Sequence, residues 1–403
     1  MNRRIHIACL LSAALTIQMP SYAQKIVPAG NDTVQNRKGL VHELGINFRP
    51  GYIAPVNGFF DGNNAKGKPI RTALSGHLQY AFRFSPHSEL GRLYPNTYQG
   101  IGVAYSSFSD KEELGTPVSV YVFQGSRIAR ISSRLSLDYE WNFGASFGWK
   151  TNKDAPNNNV TGSNINAYMN IGVLLNWQIT PNWRLNAGVD LSHFSNGNSH
   201  YPNAGVNTLG GRIGLVRTFG NTVQDNTFPV THTTFRKHIS YDVIVYGATR
   251  IKGLNWDDHS TLVPGSFGII GANFNPMYNF NKYFKAGVSL DAQYDESANI
   301  QEHIIDPELT GDAIKFYRPP FKEQFSMGLS LRCEFVMPIF SINFGIGRNL
   351  LSKGKDTEGF YQILALKTSV TKNLFLHVGY QLSKFKDPNN LMLGFGYRFH
   401  NKR

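Results

Sequence analysis

From Leu40 to His400 the chain is written in segments where apolar side chains alternate with polar or small ones, the two-residue period of a strand with unlike faces. Thr72, Leu74, Gly76, Leu78, Tyr80, Phe82 and Phe84 alternate with Ala73, Ser75, His77, Gln79, Ala81 and Arg83. Leu135, Leu137, Tyr139, Trp141, Phe143, Ala145, Phe147 and Trp149 alternate with Ser136, Asp138, Glu140, Asn142, Gly144, Ser146 and Gly148. Phe325, Met327, Leu329, Leu331, Cys333 and Phe335 do the same against Ser326, Gly328, Ser330, Arg332 and Glu334. Charges fall on one face only, which predicts a water-accessible lumen on that side and lipid on the other. Segments of ~10 residues recur roughly sixteen times, and an even number suits a single-chain membrane barrel. The fold class predicted is all-β, an antiparallel transmembrane β-barrel, built as one large barrel or as a doubled eight-strand unit.

Short turns such as Thr180-Pro181-Asn182, Asn279-Phe280-Asn281-Lys282 and Thr371-Lys372-Asn373 contrast with long polar connections at Lys150–Asn164 and Ser297–Lys322. Short turns belong on the periplasmic side. Asn182–Phe194 also aligns weakly with Asn373–Phe385, as if the seventh strand returned as the fifteenth; convergent hairpin chemistry explains the likeness equally well. The division expected is a signal peptide over 1–23, a first eight-strand half over 24–219, a linker over 220–237 and about eight further strands over 238–403.

The leader is read from Arg3 and Arg4, an apolar run from Ile7 to Ile17, and a Ser21-Tyr22-Ala23 cleavage site before Gln24. Cys9 is preceded by His6-Ile7-Ala8 rather than a lipobox, so export without lipidation is expected, leaving Cys333 alone and no intramolecular disulfide. Past the leader, no segment has the ~18 to 20 unbroken apolar residues of a spanning helix. An exported chain with 13% aromatic residues and 39 glycines, and no such helix, points to the cell outer membrane. The 40 basic against 27 acidic residues give +13, which in a cytoplasmic protein would suggest nucleic acid. On an exported barrel the fitting partners are membrane lipids and the phosphates of lipopolysaccharide, not nucleic acid. Oligomeric state is not legible.

One segment breaks the apolar rule. Trp183, Leu185, Ala187, Val189 and Leu191 form a lipid-facing set, and the same parity continues through His193 and Ser195. On the next strand Leu209, Gly211, Ile213 and Leu215 share a face with Asn207. A serine becomes a nucleophile when a neighbouring base takes its proton, and the base works best when a third group fixes its tautomer. His193 beside Ser195, with Asn207 on the adjacent strand, can supply those three parts. Backbone amides around Asn196 and Gly197 are candidates for an oxyanion site. On spacing alone, the same residues can instead mark the level where lipid gives way to headgroups and polar groups cost little. Ser192, Ser199 and His200 read as rim residues, Arg236-Lys237-His238 as a turn-side basic cluster, and Asp257-Asp258-His259 as a solvated loop rather than a metal site. No Walker loop, dinucleotide fingerprint or paired-cysteine zinc site appears, and no cofactor is expected.

Asp190–Phe219, with His193-Phe194-Ser195-Asn196, Pro202-Asn203-Ala204-Gly205-Val206-Asn207 and a glycine-spaced final strand, resembles the lipid A 3-O-deacylase (PagL-like) family, to which acyloxyacyl hydrolases are similar. The resemblance implies a hydrolase acting on an ester-linked acyl chain of lipid A, with the site on the lipid-facing exterior of an eight-strand barrel. It further implies His193 as base, Ser195 as nucleophile, Asn196 near the oxyanion and Asn203 as a supporting loop residue. The family's glutamate falls on Asn207, and Gly197-Asn198 stands where a small residue followed by glycine is usual. Motif matching covers about thirty residues, and nothing after His238 is explained by it. The alternatives are a non-catalytic porin-like or scaffold barrel and, within the enzyme class, a phospholipase.

Overall fold

The computed structural model describes residues 40–86, 88–219, 235–255, 260–306, 308–309, 311–383 and 387–400. The leader, Asp257-Asp258-His259, Lys384 and residues 220–234 of the connection lie outside them.

Sixteen long strands form two closed antiparallel barrels of eight, which resolves the choice between one barrel and two. The first contains β1 (Val41–Ala54), β2 (Thr72–Arg83), β3 (Thr97–Phe108), β4 (Gly115–Arg130), β5 (Leu135–Trp149), β6 (Ile165–Thr180), β7 (Trp183–Ser195) and β8 (Val206–Phe219). It closes because β1 pairs on one edge with β2 and on the other with β8, so that no edge is left unpaired. The second begins at β9 (His238–Arg250), which is followed by a small hairpin of β10 (Gly253–Asn255) and β11 (Ser260–Leu262). It continues through β12 (Phe267–Asn279), β13 (Phe284–Asp295), β14 (Phe325–Val336), β15 (Phe340–Leu351), β16 (Phe360–Ser369), β17 (Leu374–Ser383) and β18 (Asp387–His400). Here β9 pairs with both β12 and β18. β7 and β17, the two strands whose sequences align, are each seventh in their barrel.

The charged face is the interior in both barrels. In the first, Glu43 accepts from both terminal nitrogens of Arg184, at 3.2 and 2.9 Å, and pairs with Arg83 at 2.9 Å. Glu140 holds Arg212 at 2.7 Å and accepts from Gln79 and Tyr98, each at 3.1 Å. In the second, Lys367 bridges Asp242 at 2.8 Å and Glu334 at 2.6 Å, and Arg398 donates to both carboxylates. An eight-strand interior is only wide enough for side chains to fill. Phe59, Phe60, Phe108, Trp149 and Phe194 fill the loop-side half of the first barrel with packed aromatic rings.

Breaking one of these buried pairs strands its partner's charge. Glu140→Ala should therefore destabilise the first barrel by about 3–5 kcal/mol, read as a lower urea midpoint for the heat-modifiable folded band. An unchanged midpoint would mean that the interior ion network contributes nothing to stability.

Two features depart from the simple alternation. Trp149, expected on the lipid face with the rest of β5, is 1% exposed and stacked inside against Phe108 and Phe194. Gly148 has φ +89° and the β4–β5 register slips between Gly115 and Val118, so the strand gains a bulge that turns the tryptophan inward. Trp141 and Gln124 do lie on outward positions, yet they are 7% and 0% exposed. Trp141 packs edge-on against Phe340 of the second barrel at 5.1 Å.

Candidate active site

The connections after odd strands of the first barrel are 55–71, 109–114, 150–164 and 196–205, all at one end, while at the other lie 84–96 and the two short turns 131–134 and 181–182. β7 therefore rises from a tight turn to the long-loop end, the outer side of an outer-membrane barrel.

What fixes the faces of β7 at that end is Phe194. Its ring is 4% exposed and lies in the interior, stacked on Tyr168 at 5.1 Å and tilted against Trp149 at 5.0 Å. Its neighbours on either side must then point outward, and His193 and Ser195 continue the exterior row of Val189 and Leu191, which are 59% and 55% exposed. His193 is the register partner of Asn207 on β8. Its Nδ1 donates to Asn207 Oδ1 at 2.6 Å. That contact requires the proton on Nδ1 and leaves the Nε2 lone pair free as a base.

Ser195 Oγ accepts the backbone N–H of Gly197 at 3.3 Å, so its own hydrogen remains available to another acceptor. Among the described residues no hydrogen bond joins Ser195 to His193. Their proximity is seen at Gly205, where an added Cβ would sit 3.2 Å from His193 Cε1 and 3.6 Å from Ser195 Cβ. Gly205 also has φ +75°, a conformation other residues resist, so the loop is bare at the point where both side chains meet.

The loop is braced by Asn196 and Asn203. Asn196 N–H donates to Asn203 Oδ1 at 2.9 Å, Asn196 Oδ1 accepts from His200 N–H at 3.3 Å, and Asn196 Nδ2 donates to Pro202 O at 3.4 Å. The Asn196 amide is thus already committed, and the Gly197 amide is the one directed at Ser195. Asn203 shapes the loop from its far side. Of the rim residues, Ser199 caps Asn196 O at 2.8 Å and His200 sits beside Ser199 at 3.2 Å. Ser192 points away from the exterior row and accepts from Asn170 at 2.9 Å.

Sequence reading missed the surface beneath this group. A shallow, open cleft of about 530 Å³ lies on the exterior, lined by Tyr52, Val189, Leu209 and Gly211, all exposed or partly exposed, with Arg71 at its rim. Asn207, Leu209 and Gly211 are successive outward positions of β8, so the cleft runs directly down from the His193–Asn207 pair. A Cβ added at Gly211 would meet nothing within 4 Å, which leaves the wall recessed there. The signal that could have found it is a glycine interrupting the apolar row of β8. Among the described residues no group of three His, Cys, Asp or Glu is placed to hold a metal ion.

A lipid-facing imidazole, hydroxyl and carboxamide thus stand together on the exterior wall of a membrane barrel, above an apolar surface. Family models match both halves of the chain: residues 76–216 match "Lipid A 3-O-deacylase (PagL)" and residues 239–401 match "Acyloxyacyl hydrolase, C-terminal domain". The chain belongs to this lipid A 3-O-deacylase and acyloxyacyl hydrolase family of outer-membrane β-barrels. The second match accounts for the half that the residue motif left unexplained. No curated protein matches the chain. Similar solved structures include Neisserial surface protein A (NspA), 9% identical with TM-score 0.31, covering 45% of this chain and 99% of that one. Another is the COG4313 outer membrane channel from Pseudomonas putida F1, 7% identical with TM-score 0.22, covering 93% of this chain and 100% of the other.

Proposed function

We propose that the protein removes an ester-linked acyl chain from lipid A in the outer leaflet, using Ser195 as nucleophile and His193 as base. The observation that carries this reading is the 2.6 Å bond from His193 to Asn207 on the lipid-facing wall, directly above an apolar cleft. An acyl chain lying along Leu209 and Gly211 brings its ester carbonyl up to Ser195. As Ser195 Oγ attacks, its proton passes to His193 Nε2, and Asn207 Oδ1 holds the ring through Nδ1. The carbonyl oxygen becomes an oxyanion beside the Gly197 N–H. Collapse of the intermediate returns the proton from His193 to the departing lipid A hydroxyl and leaves an acyl-serine. A water, deprotonated by the same imidazole, then releases the fatty acid and restores Ser195.

Mass spectrometry of lipid A from cells carrying the wild-type or the Ser195→Ala protein tests the reading. Loss of one acyl mass in the wild type alone supports it. Identical lipid A in both, with both proteins folded in the outer membrane, would sink it.

The cleft makes a separate prediction. Gly211→Phe should fill the recess that Gly211 leaves and raise KM for lipopolysaccharide by about tenfold or more, the loss of one to two kcal/mol of apolar contact, while the turnover of bound substrate falls less. An unchanged KM would remove the acyl chain from that cleft.

A further inference from the structure

The exterior of the second barrel reaches the site of the first. Gly197 has φ +62°, and a Cβ added to it would lie 2.7 Å from Leu391 Cδ2, 2.8 Å from Cγ and 3.2 Å from Cδ1. The branched end of Leu391, an outward position on β18, thus caps the α-carbon of the very residue whose N–H is directed at Ser195 Oγ. Glycine is required at 197 both for its backbone angle and for the approach of this side chain.

The contact is held by two further joints along the same seam. At the short-turn end, Tyr94 Oη donates to Lys282 O at 2.8 Å and Tyr283 Oη to Leu93 O at 3.2 Å, with the two tyrosine rings edge to face at 5.5 Å. Farther along the wall of the first barrel Trp141 meets Phe340, the first residue of β15, and Gln124 is fully enclosed, accepting from Trp141 Nε1 at 2.6 Å and donating to Tyr139 Oη at 3.2 Å. Gln124 thus lies enclosed on an outward position beside the Trp141–Phe340 contact between the barrels. Barrel strands tilt ~35–45°, so a line parallel to the axis crosses the 84–96 connection, then β4 and β5, then the β7–β8 loop. At these places described residues of the two barrels touch. Below Leu391 the exterior row of β18 is open again, with Leu393 and Phe395 47% and 59% exposed, so the upper contact is local to the loop.

We infer that Leu391 is a positioning residue for the reaction: through it the second barrel presses the 196–205 loop into the form that aims the Gly197 N–H at the forming oxyanion. The inference rests on the proposed roles of Ser195 and Gly197. A loop fixed by its own hydrogen bonds still has freedom about the glycine, and a branched side chain packed on the α-carbon removes it. The second barrel then serves catalysis without touching substrate.

The test is steady-state hydrolysis of purified lipopolysaccharide in mixed phospholipid vesicles by the full chain. Deletion of an oxyanion donor costs roughly 10²–10³ in kcat. Loosening one should cost less, and Leu391→Ala is expected to lower kcat about tenfold with KM and the pH profile unchanged, while Leu391→Met restores most of the rate. Heat-modifiable mobility reports folding independently. If folded Leu391→Ala keeps kcat within twofold while Ser195→Ala is inactive, the inference fails and the site assignment stands. If Ser195→Ala is active, the assignment itself is wrong. A matching rise in KM would reassign Leu391 to substrate contact and also overturn a positioning role.

Discussion

Ser195→Ala and His193→Ala should each reduce lipid A deacylation on the order of 10⁴- to 10⁶-fold, the range seen when one member of a cooperating nucleophile–base pair is removed. The losses should not add, because without the imidazole Ser195 is an ordinary alcohol, and without the hydroxyl the imidazole has only water to activate. Both side chains are on the exterior rather than in the packed interior, so neither change should unfold the barrel. The measurement is single-turnover release of fatty acid from lipopolysaccharide vesicles, alongside gel mobility with and without heating. A folded variant of either residue that keeps wild-type rate has been given the wrong role. A double variant that is far slower than either single one would mean that the two act independently, contrary to the mechanism.

The second large effect concerns Asn207. A carboxamide orients the imidazole through its carbonyl but does not offset the charge that His193 gains in the transition state, as a carboxylate does. Asn207→Glu should raise turnover by about tenfold to a hundredfold, a fraction of the ~10⁴ that separates carboxylate from carboxamide in a serine protease triad. Burial against lipid works the other way, favouring the neutral acid and tempering the gain. Asn207→Ala removes the 2.6 Å partner altogether and frees the ring to adopt the unproductive tautomer, so its rate should drop well below wild type. If Asn207→Ala matches wild type, the orienting group lies elsewhere, in the neighbouring loops. If Asn207→Glu is slower, an added charge at this depth costs more than it returns.

Much of this was legible in the sequence because alternation is a local property. The two faces of β2 and β14, the interior placement of Glu140 and Arg332, and the exterior parity of His193, Ser195 and Asn207 all follow from counting residues along a strand. Closure does not. Whether β8 returns to β1 or continues into β9 is decided by pairing between strands far apart in the chain, and the period of each strand is the same in both cases. Trp149 escaped because one positive φ at Gly148 reverses parity for a single residue. Trp141 was correctly placed on the outer wall, but only the second barrel reveals that this wall is covered. At the site, the residue types were readable, whereas the commitment of the Asn196 amide to Asn203 depended on the path of a loop that no periodicity describes.

The sideways opening of the cleft has a kinetic meaning. With the catalytic roles proposed for His193 and Ser195, which sit on the outer wall beside Val189, Leu191 and Leu209, substrate arrives by diffusion within a sheet rather than from bulk solution. The relevant concentration is lipid A molecules per unit area of leaflet, and diluting the cells or vesicles leaves it untouched. What throttles or releases the enzyme is the composition of the surface around it: crowding by other lipids, domain formation, or divalent ions that bridge neighbouring phosphates and slow lateral exchange. Catalysis by this barrel is in that sense a reading of how fluid and how rich in its own substrate the surrounding leaflet is.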